Sequence, residues 1–385
     1  MTLRTVFLTL GLTLMLSNCA KKTPDKVALS PTADVDAILS QAIEDIEADY
    51  QAALNFQGED RGVSDRSAIY LPAGSEDELA AAIAAARPHQ RIILRSGSHY
   101  ENDAVIIDKP VQIIGEDGAV LYCDNQSGHF YLVGTPIYTD AGLHVKDANR
   151  VKIQNLEIRP YGAQGSIAIF TENAQHTMIV DNDIHDFQFG IWTSNHSDKT
   201  SIYDNTITGV GGGGGVGALW GIVIESGDNA RIMNNHIADY GTGIFASSRR
   251  GIYHNNTAMD VSIGILSCTV QGALFLPNGL ELEHAVSCDD WIFSRNDVRN
   301  SYLGYLAIDG AHDNLFAQNT ASNSVLYDVE MAGETQRFGF TTPTSYNNLF
   351  VPRRTDYNTI VIKLCGDNNE ATGGVLVDLD ADPCW

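Results

Sequence analysis

Short apolar runs, separated by asparagine, aspartate and glycine, recur through the second half of the chain. Each copy begins with Asn-x-(Ile/Val/Ala), and in five of six copies a partner step, usually a glycine with an apolar residue, follows eight residues later. Successive copies are 23, 30, 21, 40 and 23 residues apart, so the unit has about 22 residues and two insertions. The copies begin at Asn182, Asn205, Asn235, Asn256, Asn296 and Asn319. A fixed period of this length predicts a solenoid.

The composition of each unit indicates which kind of solenoid this is. Short β-rich runs, such as 178–180 and 190–193, alternate with turn residues, and no unit has a helical pattern long enough for a leucine-rich or ankyrin repeat. Three short strands and three turns in one unit predict one coil of a parallel β-helix. We expect the asparagines to bond to one another from coil to coil and to tolerate the left-handed backbone of the corner.

A family resemblance supports the same fold. Residues 91–116 have the sequence RIILRSGSHYENDAVIIDKPVQIIGE. This stretch resembles the opening coils of the right-handed parallel β-helix (pectate-lyase-like) superfamily, and with the asparagine coils the resemblance covers roughly residues 75 to 350. It implies an all-β solenoid, a right-handed single-stranded parallel β-helix with N-terminal capping helices, in residues 89–350. It does not specify an activity, because many functions occur on this scaffold.

The region before the coils is predicted to be helical. Apolar residues from Val35 to Ile46 recur at helical spacing, and a second helix is expected from Ser75, with a capping box completed by Glu78, to a stop before Pro88. One or both helices should plug the open N-terminal end of the solenoid, so residues 34–88 form a helical cap region. Residues 351–385 are expected to be a polar C-terminal tail.

The first 19 residues have the pattern of an export signal. Arg4 precedes an apolar segment from Val6 to Leu16 that is too short to span a membrane. The following sequence, Leu16-Ser17-Asn18-Cys19, resembles a bacterial lipobox, which implies acylation of Cys19 and a lipid anchor in the outer membrane. Residues 20–33 then form a Lys/Pro/Ser/Thr-rich tether. The expected location is the cell envelope.

The five remaining cysteines fit an exported protein with two disulfides. Cys268 and Cys288 bracket one insertion, and Cys365 and Cys384 bracket the C-terminal tail. Pairing them in this way closes two loops of about 20 residues, each worth roughly 3 kcal/mol. Cys123 is left as a buried thiol.

Charge limits the choice of partners. Acidic residues outnumber basic ones by 48 to 24, which gives a formal net charge of −24. Nucleic acid is therefore not expected as a partner, because phosphate binding needs a basic stripe. A polyanionic polysaccharide would be repelled too, unless calcium or a local arginine cluster compensates. The plainer interpretation of the charge is a solubilising acidic surface.

Alignment of the units on the glycine step separates inward from outward side chains. The inward column is Ile191, Ile222, Ile244 and Ile265, and the outward column is Trp192, Val223, Phe245 and Leu266. One hypothesis is a sugar-stacking groove in which Trp192 and Phe245 bind substrate. The other is a strip that an insertion, the tail or a second subunit covers.

Polar residues are expected beside this strip. A second outward column is predicted to contain Phe170, Ser194, Glu225, Ser247 and Cys268. At the following turn Glu172, His196 and Arg249 are expected in register, with Asp228 one coil from Arg250. Glu172 and His196 are candidate substrate-binding residues.

The candidate catalytic residues are Glu225, Asp228, Arg249 and Arg250. A lyase needs a base near C5 of a uronate and a cation for the carboxylate, which an arginine would supply. A hydrolase needs two carboxylates separated by about 5–5.5 Å or 6.5–9.5 Å, and Glu225 with Asp228 is the candidate pair. The same two acids are candidate calcium ligands. The plainer interpretation is that these are solvated turn residues.

Catalytic motifs of related families are missing. Asp289 and Asp290 resemble the paired aspartates of polygalacturonases, but the other motifs of that family are absent, as are those of pectate lyases and alginate epimerases. The sequence therefore leaves two functions open. One is polysaccharide binding with cleavage, by lyase chemistry before hydrolase chemistry. The other is a non-catalytic envelope scaffold or adhesin-like lipoprotein.

Overall fold

Three parallel sheets run along the molecule in the computed structural model, and most coils of the chain contribute one strand to each of them. Sheet 1 has 12 strands, sheet 2 has 9 and sheet 3 has 11. The structure describes residues 35–55, 68–123, 129–132, 135–138, 141–162, 165–210, 219–225, 227–268, 270–276, 279–286, 288–308, 310–332, 335–337, 340–342, 344–356, 358–378 and 384. For 129–138, 268–286 and 335–342 it describes the backbone alone. The prediction of an all-β parallel solenoid is confirmed.

In nine of the coils a strand of sheet 1 is followed by a strand of sheet 2. Sheet 1 consists of Ile69–Leu71, Arg91–Leu94, Gln112–Gly115, Lys152–Gln154, Met178–Val180, Ser201–Tyr203, Arg231–Met233, Ile252–His254, Ile292–Ser294, Leu315–Ala317, Leu349–Val351 and Glu370–Ala371. Sheet 2 consists of Gly97–Glu101, Ala119–Cys123, Glu157–Pro160, Asp183–His185, Thr206–Thr208, His236–Ala238, Thr257–Met259, Asp297–Arg299 and Thr320–Ser322.

Sheet 3 contains the longest strands. They are Val105–Ile107, Ala141–Lys146, Gly165–Glu172, Phe187–Ser194, Trp220–Glu225, Thr242–Ser247, Ile263–Cys268, Leu303–Ile308, Tyr327–Met331, Val361–Leu364 and Val375–Leu376. Three antiparallel hairpins leave the coils: His129–Leu132 with Thr135–Tyr138, Val270–Leu276 with Gly279–Val286, and Thr335–Arg337 with Phe340–Thr342. The second hairpin is the predicted insertion between two cysteines.

The solenoid extends beyond both predicted boundaries. Ile69–Leu71 pairs in parallel with Arg91–Leu94, so the coils begin before residue 89. At the other end Glu370–Ala371 joins sheet 1, and Ile360 and Ile362 continue the core. The segment predicted as a C-terminal tail therefore contains further coils, in which Ile360 and Ile362 point inward, whereas Val375 and Leu376 in the last strand are exposed.

Asparagine side chains form a continuous buried ladder at the corner between sheets 1 and 2. The Nδ2 of Asn182 donates to Asn205 Oδ1, and that of Asn205 donates to Asn235 Oδ1, both at 2.9 Å. The same bond continues across the 40-residue step, from Asn256 to Asn296, at 3.0 Å. Each Oδ1 also accepts a backbone N–H, as in Asn182 N to Asn205 Oδ1 at 3.0 Å. The predicted ladder is confirmed.

The left-handed residue of the corner is the one before each ladder asparagine. Asp181, Asp204 and Asn234 have φ values of 55°, 54° and 59°. The glycine of the repeat is required for a different reason, because neighbouring atoms come too close to its backbone to leave room for a side chain. A Cβ on Gly190 would overlap the Ile207 side chain and the carbonyl of the next glycine. The spacing of eight residues therefore reflects how tightly sheets 2 and 3 meet.

Helix α1 (Val35–Leu54) lies along the outer face of sheet 1. Ile46 packs in a cluster with Tyr203 and Met233, and Leu39 packs against Leu315. At 1.5 Å per residue the 20-residue helix is about 30 Å long, the height of roughly six coils. The expectation that this helix plugs the end of the solenoid is wrong, because its apolar side matches an apolar outer face of sheet 1.

The two ends of α1 identify its direction. Leu39, near its first turn, lies against strands of the C-terminal coils, including Leu349. At its other end, the Ala53 carbonyl accepts a hydrogen bond from Lys152 Nζ at 2.8 Å, on an N-terminal coil. The helix therefore runs opposite to the stacking direction of the coils.

Helix α2 (Glu78–Ala85) closes the N-terminal end. Leu79 and Ile83 enter the main core, and the Leu79 N–H donates to Glu101 Oε1 at 2.8 Å. The predicted capping box is wrong, because the Ser75 hydroxyl bonds to His99 Nδ1 at 2.8 Å instead. A carboxylate from sheet 2, distant in sequence, thus caps this helix.

One predicted disulfide is present. Cys365 and Cys384 are bonded, with Cα atoms 5.7 Å apart, and Cys123 is buried as expected. Cys288 Sγ lies 3.2 Å from the Ala246 carbonyl oxygen, but the side chain of Cys268 lies outside the described residues. The pairing of Cys268 with Cys288 stays a prediction, and Cys19, the signal and the tether also lie outside the described residues.

We expect Asn235→Ala to lower the free energy of unfolding by about 1–3 kcal/mol, because it leaves buried donors and acceptors of the neighbouring coils without partners. Urea unfolding followed by circular dichroism measures this. Asn358→Ala removes an exposed asparagine outside the ladder and should change stability by less than about 0.5 kcal/mol. Equal effects of the two substitutions would contradict a stabilising ladder.

Candidate functional site

The three sheets differ in how far their outer faces are open. Helix α1 covers sheet 1, and outward side chains of sheet 3 form a second buried apolar cluster. On sheet 2 most outward side chains are partly or fully exposed, among them Tyr100, Tyr122, Asp183 and Thr206. Within the described residues, sheet 2 therefore has the open face.

The predicted outward ladder on sheet 3 is in register but is not exposed. Trp192 pairs with Val223, which pairs with Phe245, and the ladder continues at Leu266. Trp192 is 3% exposed and Phe245 2% exposed. The hypothesis that these two rings form an exposed sugar-stacking groove is therefore wrong for this structure, and the covered strip is the better interpretation.

An aromatic residue that the sequence interpretation missed covers part of this strip. Trp220, the first residue of its strand, stacks on Phe245 with ring centroids 5.6 Å apart. It also meets Phe189 at 5.2 Å and Trp192 at 6.2 Å. Trp220 directly precedes Gly221 and is in register with Phe189 and Thr242, so the alignment on the glycine step gives its column, but only the fold shows that its ring lies against Phe245.

Glu225 points outward from sheet 3, but its carboxyl is buried. Oε2 accepts hydrogen bonds from Trp192 Nε1 at 3.0 Å and from Ser194 Oγ at 3.3 Å. Burial raises the pKa of Glu225 from 4.5 to about 7, and the two hydrogen bonds oppose that rise. A pKa near neutrality suits a general acid, but a buried carboxyl does not reach a polysaccharide. Glu225 is therefore a hydrogen-bonding group within the apolar strip.

Two predicted strand registers are wrong by two residues. Phe170 pairs with Trp192, and Glu172 pairs with Ser194, so Glu172 lies in the Glu225 column rather than with His196. Glu172 Oε2 faces His144 Nε2 at 3.1 Å and Lys146 Nζ at 3.5 Å. The strand that ends at Glu172 is aligned two residues away from the expected position. His196 is exposed in the following turn.

The predicted turn residues pair with one another and with the next coil. Asp228 Oδ1 accepts the Arg249 N–H at 3.2 Å, and burial raises the pKa of Asp228. Arg249 Nε lies 3.5 Å from Asp289 Oδ1, and Arg250 Nε lies 4.0 Å from Asp290 Oδ2. The two arginines thus face carboxylates of the next coil and do not meet the Glu225 carboxyl.

The two predicted calcium ligands are directed to different partners. The carboxyl of Glu225 is directed to Trp192 and Ser194, while that of Asp228 is directed to the backbone of Arg249. Within the described residues no group of three or more His, Cys, Asp or Glu side chains could hold a metal ion. Calcium binding by Glu225 and Asp228 stays a prediction.

A groove on the open face of sheet 2 brings three tyrosines together. Tyr100 and Tyr122 are directly paired in register, and their rings stack with centroids 5.3 Å apart and an interplanar angle of 14°. Tyr161, 56% exposed, meets Tyr100 edge to face at 6.0 Å. Arg159 and Asp186 complete this tyrosine groove, which has a volume of about 480 Å³.

The charged side chains of the tyrosine groove are paired with one another. The Arg159 Nε donates to Glu157 Oε1, and Arg159 Nη1 lies 3.7 Å from Asp186 Oδ2. The hydrogen bond to Glu157, with the charges of Glu157 and Asp186, raises the pKa of the Arg159 guanidinium, so it stays charged. Two carboxylates beside one arginine leave the groove with a net negative charge.

A second groove lies towards the C-terminal end of the same sheet. It has a volume of about 700 Å³ and is lined by hydroxyl, amide and charged groups: Asp297, Arg299, Thr320, Ser322, Asn323, Ser324, Asp328, Asp356 and Thr359. Arg299 forms an ion pair with Asp297, which also accepts a hydrogen bond from Thr320 Oγ1 at 2.8 Å. We call it the hydroxyl groove.

The sequence contained a signal for the tyrosine groove that the interpretation did not use. Tyr100 and Tyr122 are 22 residues apart, which is the length of one coil. Arg159 is the next residue in that column, but it follows Tyr122 by 37 residues because the hairpin His129–Tyr138 intervenes. The insertion breaks the period, so the column is recognisable only once the strands are paired.

The raised pKa of Glu225 predicts a pH-dependent stability. The folded state holds this proton more tightly than the unfolded state, so the stabilisation is complete below pH 4.5 and is lost as the pH rises to about 7. We expect the free energy of unfolding to fall by up to about 3 kcal/mol over this range.

Urea unfolding at a series of pH values tests this prediction. Glu225→Gln keeps an acceptor for Trp192 and should flatten the decline, whereas Glu44→Gln, on the exposed side of α1, should follow the wild type. A Glu225→Gln curve that declines like the wild type would show that another group titrates.

Comparison with known proteins agrees with the fold. Residues 119–280 match the family model described as right handed beta helix region. No curated protein matches the chain in sequence. No helix in the described part of the chain has the length and apolar character needed to cross a membrane.

Solved structures that share the fold differ widely in what they do. The endo-xylogalacturonan hydrolase of Aspergillus tubingensis is similar with a TM-score of 0.54 at 9% identity, over 80% of this chain and 95% of that one. The lacto-N-biosidase of Eubacterium ramulus has a TM-score of 0.52 at 11% identity, over 80% and 67%. PfbA, a surface adhesin of Streptococcus pneumoniae, has a TM-score of 0.50 at 10% identity, over 78% and 86%. At these identities the likeness shows the fold alone: this chain is a right-handed parallel β-helix.

Proposed function

We propose that this chain is an exported, lipid-anchored β-helix protein of the cell envelope that binds polysaccharide through the tyrosine groove of sheet 2. The observation that carries the proposal is the stacked pair Tyr100–Tyr122 with the exposed ring of Tyr161 beside it. Export and anchoring are supported by the apolar segment before Cys19. Hydrolases and an adhesin with this fold make a carbohydrate partner plausible.

The chemistry of the groove suits a sugar. A tyrosine ring offers an apolar face for the C–H groups of a pyranose, and its hydroxyl exchanges hydrogen bonds with sugar hydroxyls. Arg159 and Asp186 add a donor and an acceptor at the edge. The groove is shallow and lies on an open sheet, so a polymer can pass through it in both directions.

The same groove favours binding over cleavage. A hydrolase places an acid and a second carboxylate on either side of the glycosidic bond. Here Glu157 and Asp186 both face the guanidinium of Arg159. The two carboxylates therefore pair with a cation and are not placed on either side of a glycosidic bond. Cleavage, by lyase or hydrolase chemistry, is therefore a separate hypothesis. Ultraviolet absorbance for unsaturated ends and reducing-sugar release, measured with and without calcium, test it.

The direction of α1 would set the orientation of an anchored chain. The helix begins beside the C-terminal coils, where Leu39 packs against Leu315 and Leu349. A tether attached to this end of the helix would hold the C-terminal coils nearest the membrane. The tyrosine groove, on the N-terminal coils, would then lie at the end of the solenoid farther from the membrane.

We expect Tyr161→Ala and Tyr122→Ala to weaken polysaccharide binding about tenfold each, as expected for a loss of roughly 1.4 kcal/mol. Isothermal titration calorimetry or affinity electrophoresis, with a panel of neutral and uronate polysaccharides, measures the change. Tyr302→Ala is the matched control, since Tyr302 is also exposed but does not line either groove.

Two results would contradict the proposal. In one, the tyrosine variants bind as tightly as the Tyr302 control. In the other, no polysaccharide of the panel binds at all, which would favour the alternative of an envelope scaffold without a carbohydrate ligand.

A further inference from the structure

The tyrosine groove and the hydroxyl groove share one outward column of sheet 2. Strand pairing places the residues of this column one above another along the solenoid: Tyr100, Tyr122, Arg159, His185, Thr208, Ala238, Met259, Arg299 and Ser322. Tyr100, Tyr122 and Arg159 line the first groove, and Arg299 and Ser322 line the second. The two grooves are therefore aligned along the axis of the molecule.

Each groove has an arginine paired with a carboxylate, and the two pairs occupy equivalent positions on their strands of sheet 2. Arg159 forms an ion pair with Glu157, two residues earlier, and Arg299 forms one with Asp297, also two residues earlier. Five coil steps separate the two arginines, which corresponds to about 24 Å at 4.8 Å per step. His185, Thr208, Ala238 and Met259 lie on the coils between them, so a ligand that reaches both grooves also passes over these four side chains.

The hydroxyl groove has the chemistry of a second sugar subsite. Its lining contains hydrogen-bond donors and acceptors, including those of Thr320, Ser322, Asn323 and Thr359. Sugar hydroxyls are donors as well as acceptors, so they can bond to the hydroxyl, amide and carboxylate groups of this lining.

The excess of negative charge in the two grooves favours a neutral polysaccharide over a charged one. The lining and the ion pairs of the two grooves contain two arginines, Arg159 and Arg299, against five carboxylates: Glu157, Asp186, Asp297, Asp328 and Asp356. Both arginines are already paired with carboxylates. A polyuronate would meet an excess of like charge on a protein that is itself strongly acidic. A neutral polymer does not encounter this repulsion.

We propose that one chain of a neutral polysaccharide lies along sheet 2, parallel to the solenoid axis, and occupies both grooves at once. This inference rests on the proposed function, because the tyrosine groove supplies the first subsite. Occupancy of the second groove is then an intramolecular event, so affinity rises once a ligand is long enough to reach both. Ligands shorter than the span bind the tyrosine groove alone.

The test is a length series of neutral oligosaccharides. Glucan, mannan, galactan and xylan are titrated first, with alginate and pectate as charged comparisons. Size-fractionated oligosaccharides of the neutral polymer that binds are then titrated, from the disaccharide to lengths beyond the roughly 24 Å between the arginines. We expect a rise in affinity of at least tenfold between oligomers that cannot span both grooves and those that can.

Variants assign the rise to the second groove. Arg299→Ala should reduce the affinity for long oligomers to that for short ones and leave short ones unchanged. Tyr161→Ala should weaken binding at every length. Arg87→Ala removes an exposed arginine outside both grooves and should match the wild type at all lengths. Thermal unfolding checks that each variant is folded.

The outcomes separate this inference from the proposed function. A flat length series with a silent Arg299→Ala, while Tyr161→Ala still weakens binding, would overturn the two-groove inference and leave the tyrosine groove in place. Tighter binding of alginate or pectate than of every neutral polymer would overturn the neutral class. Loss of the Tyr161 effect would overturn the proposed function itself.

Discussion

The buried asparagine ladder at the corner between sheets 1 and 2 is the constraint on which the rest of the structure depends. A tight corner removes backbone hydrogen bonds in every coil, and a buried polar group without a partner costs about 1–3 kcal/mol. The side chain of Asn205 restores these bonds in both directions, to Asn182 below and to Asn235 above. Because each asparagine bonds to the same atom of the next, the ladder holds the register of the six coils from Asn182 to Asn319.

With the register set, the coils differ only in what lies outside them. The inward column of sheet 1 changes from isoleucine to aromatic residues without a change of register, and Tyr253, Phe293 and Phe316 stack almost parallel to one another. The insertion in the 40-residue step between Asn256 and Asn296 leaves the solenoid as a hairpin, and the ladder crosses this step intact. The solenoid therefore accepts new surface features at small cost to its core.

The three outer faces have separate roles as a result. Sheet 1 is covered by α1, and the outward strip of sheet 3 holds a buried carboxyl, Glu225, between Trp192 and Ser194. Among the described residues, sheet 2 has short strands with polar outward side chains and no large apolar strip for another element to cover. It is left open, and its tyrosines and arginines form the surface at which we propose that a polymer binds. The site is thus a consequence of which faces the rest of the chain does not use.

The sequence by itself determined the period, the asparagine corner and the in–out alternation, because each depends on residue types at a constant spacing within one coil. It placed Trp192 and Phe245 correctly on an outward column. Whether that column is exposed was decided only by the tertiary structure, since burial depends on what packs over it. One such residue is Trp220, whose ring contacts those of Trp192 and Phe245. The tyrosine groove was likewise beyond the repeat pattern. Its residues come from different coils, and an insertion between Tyr122 and Arg159 separates in sequence what strand pairing brings together.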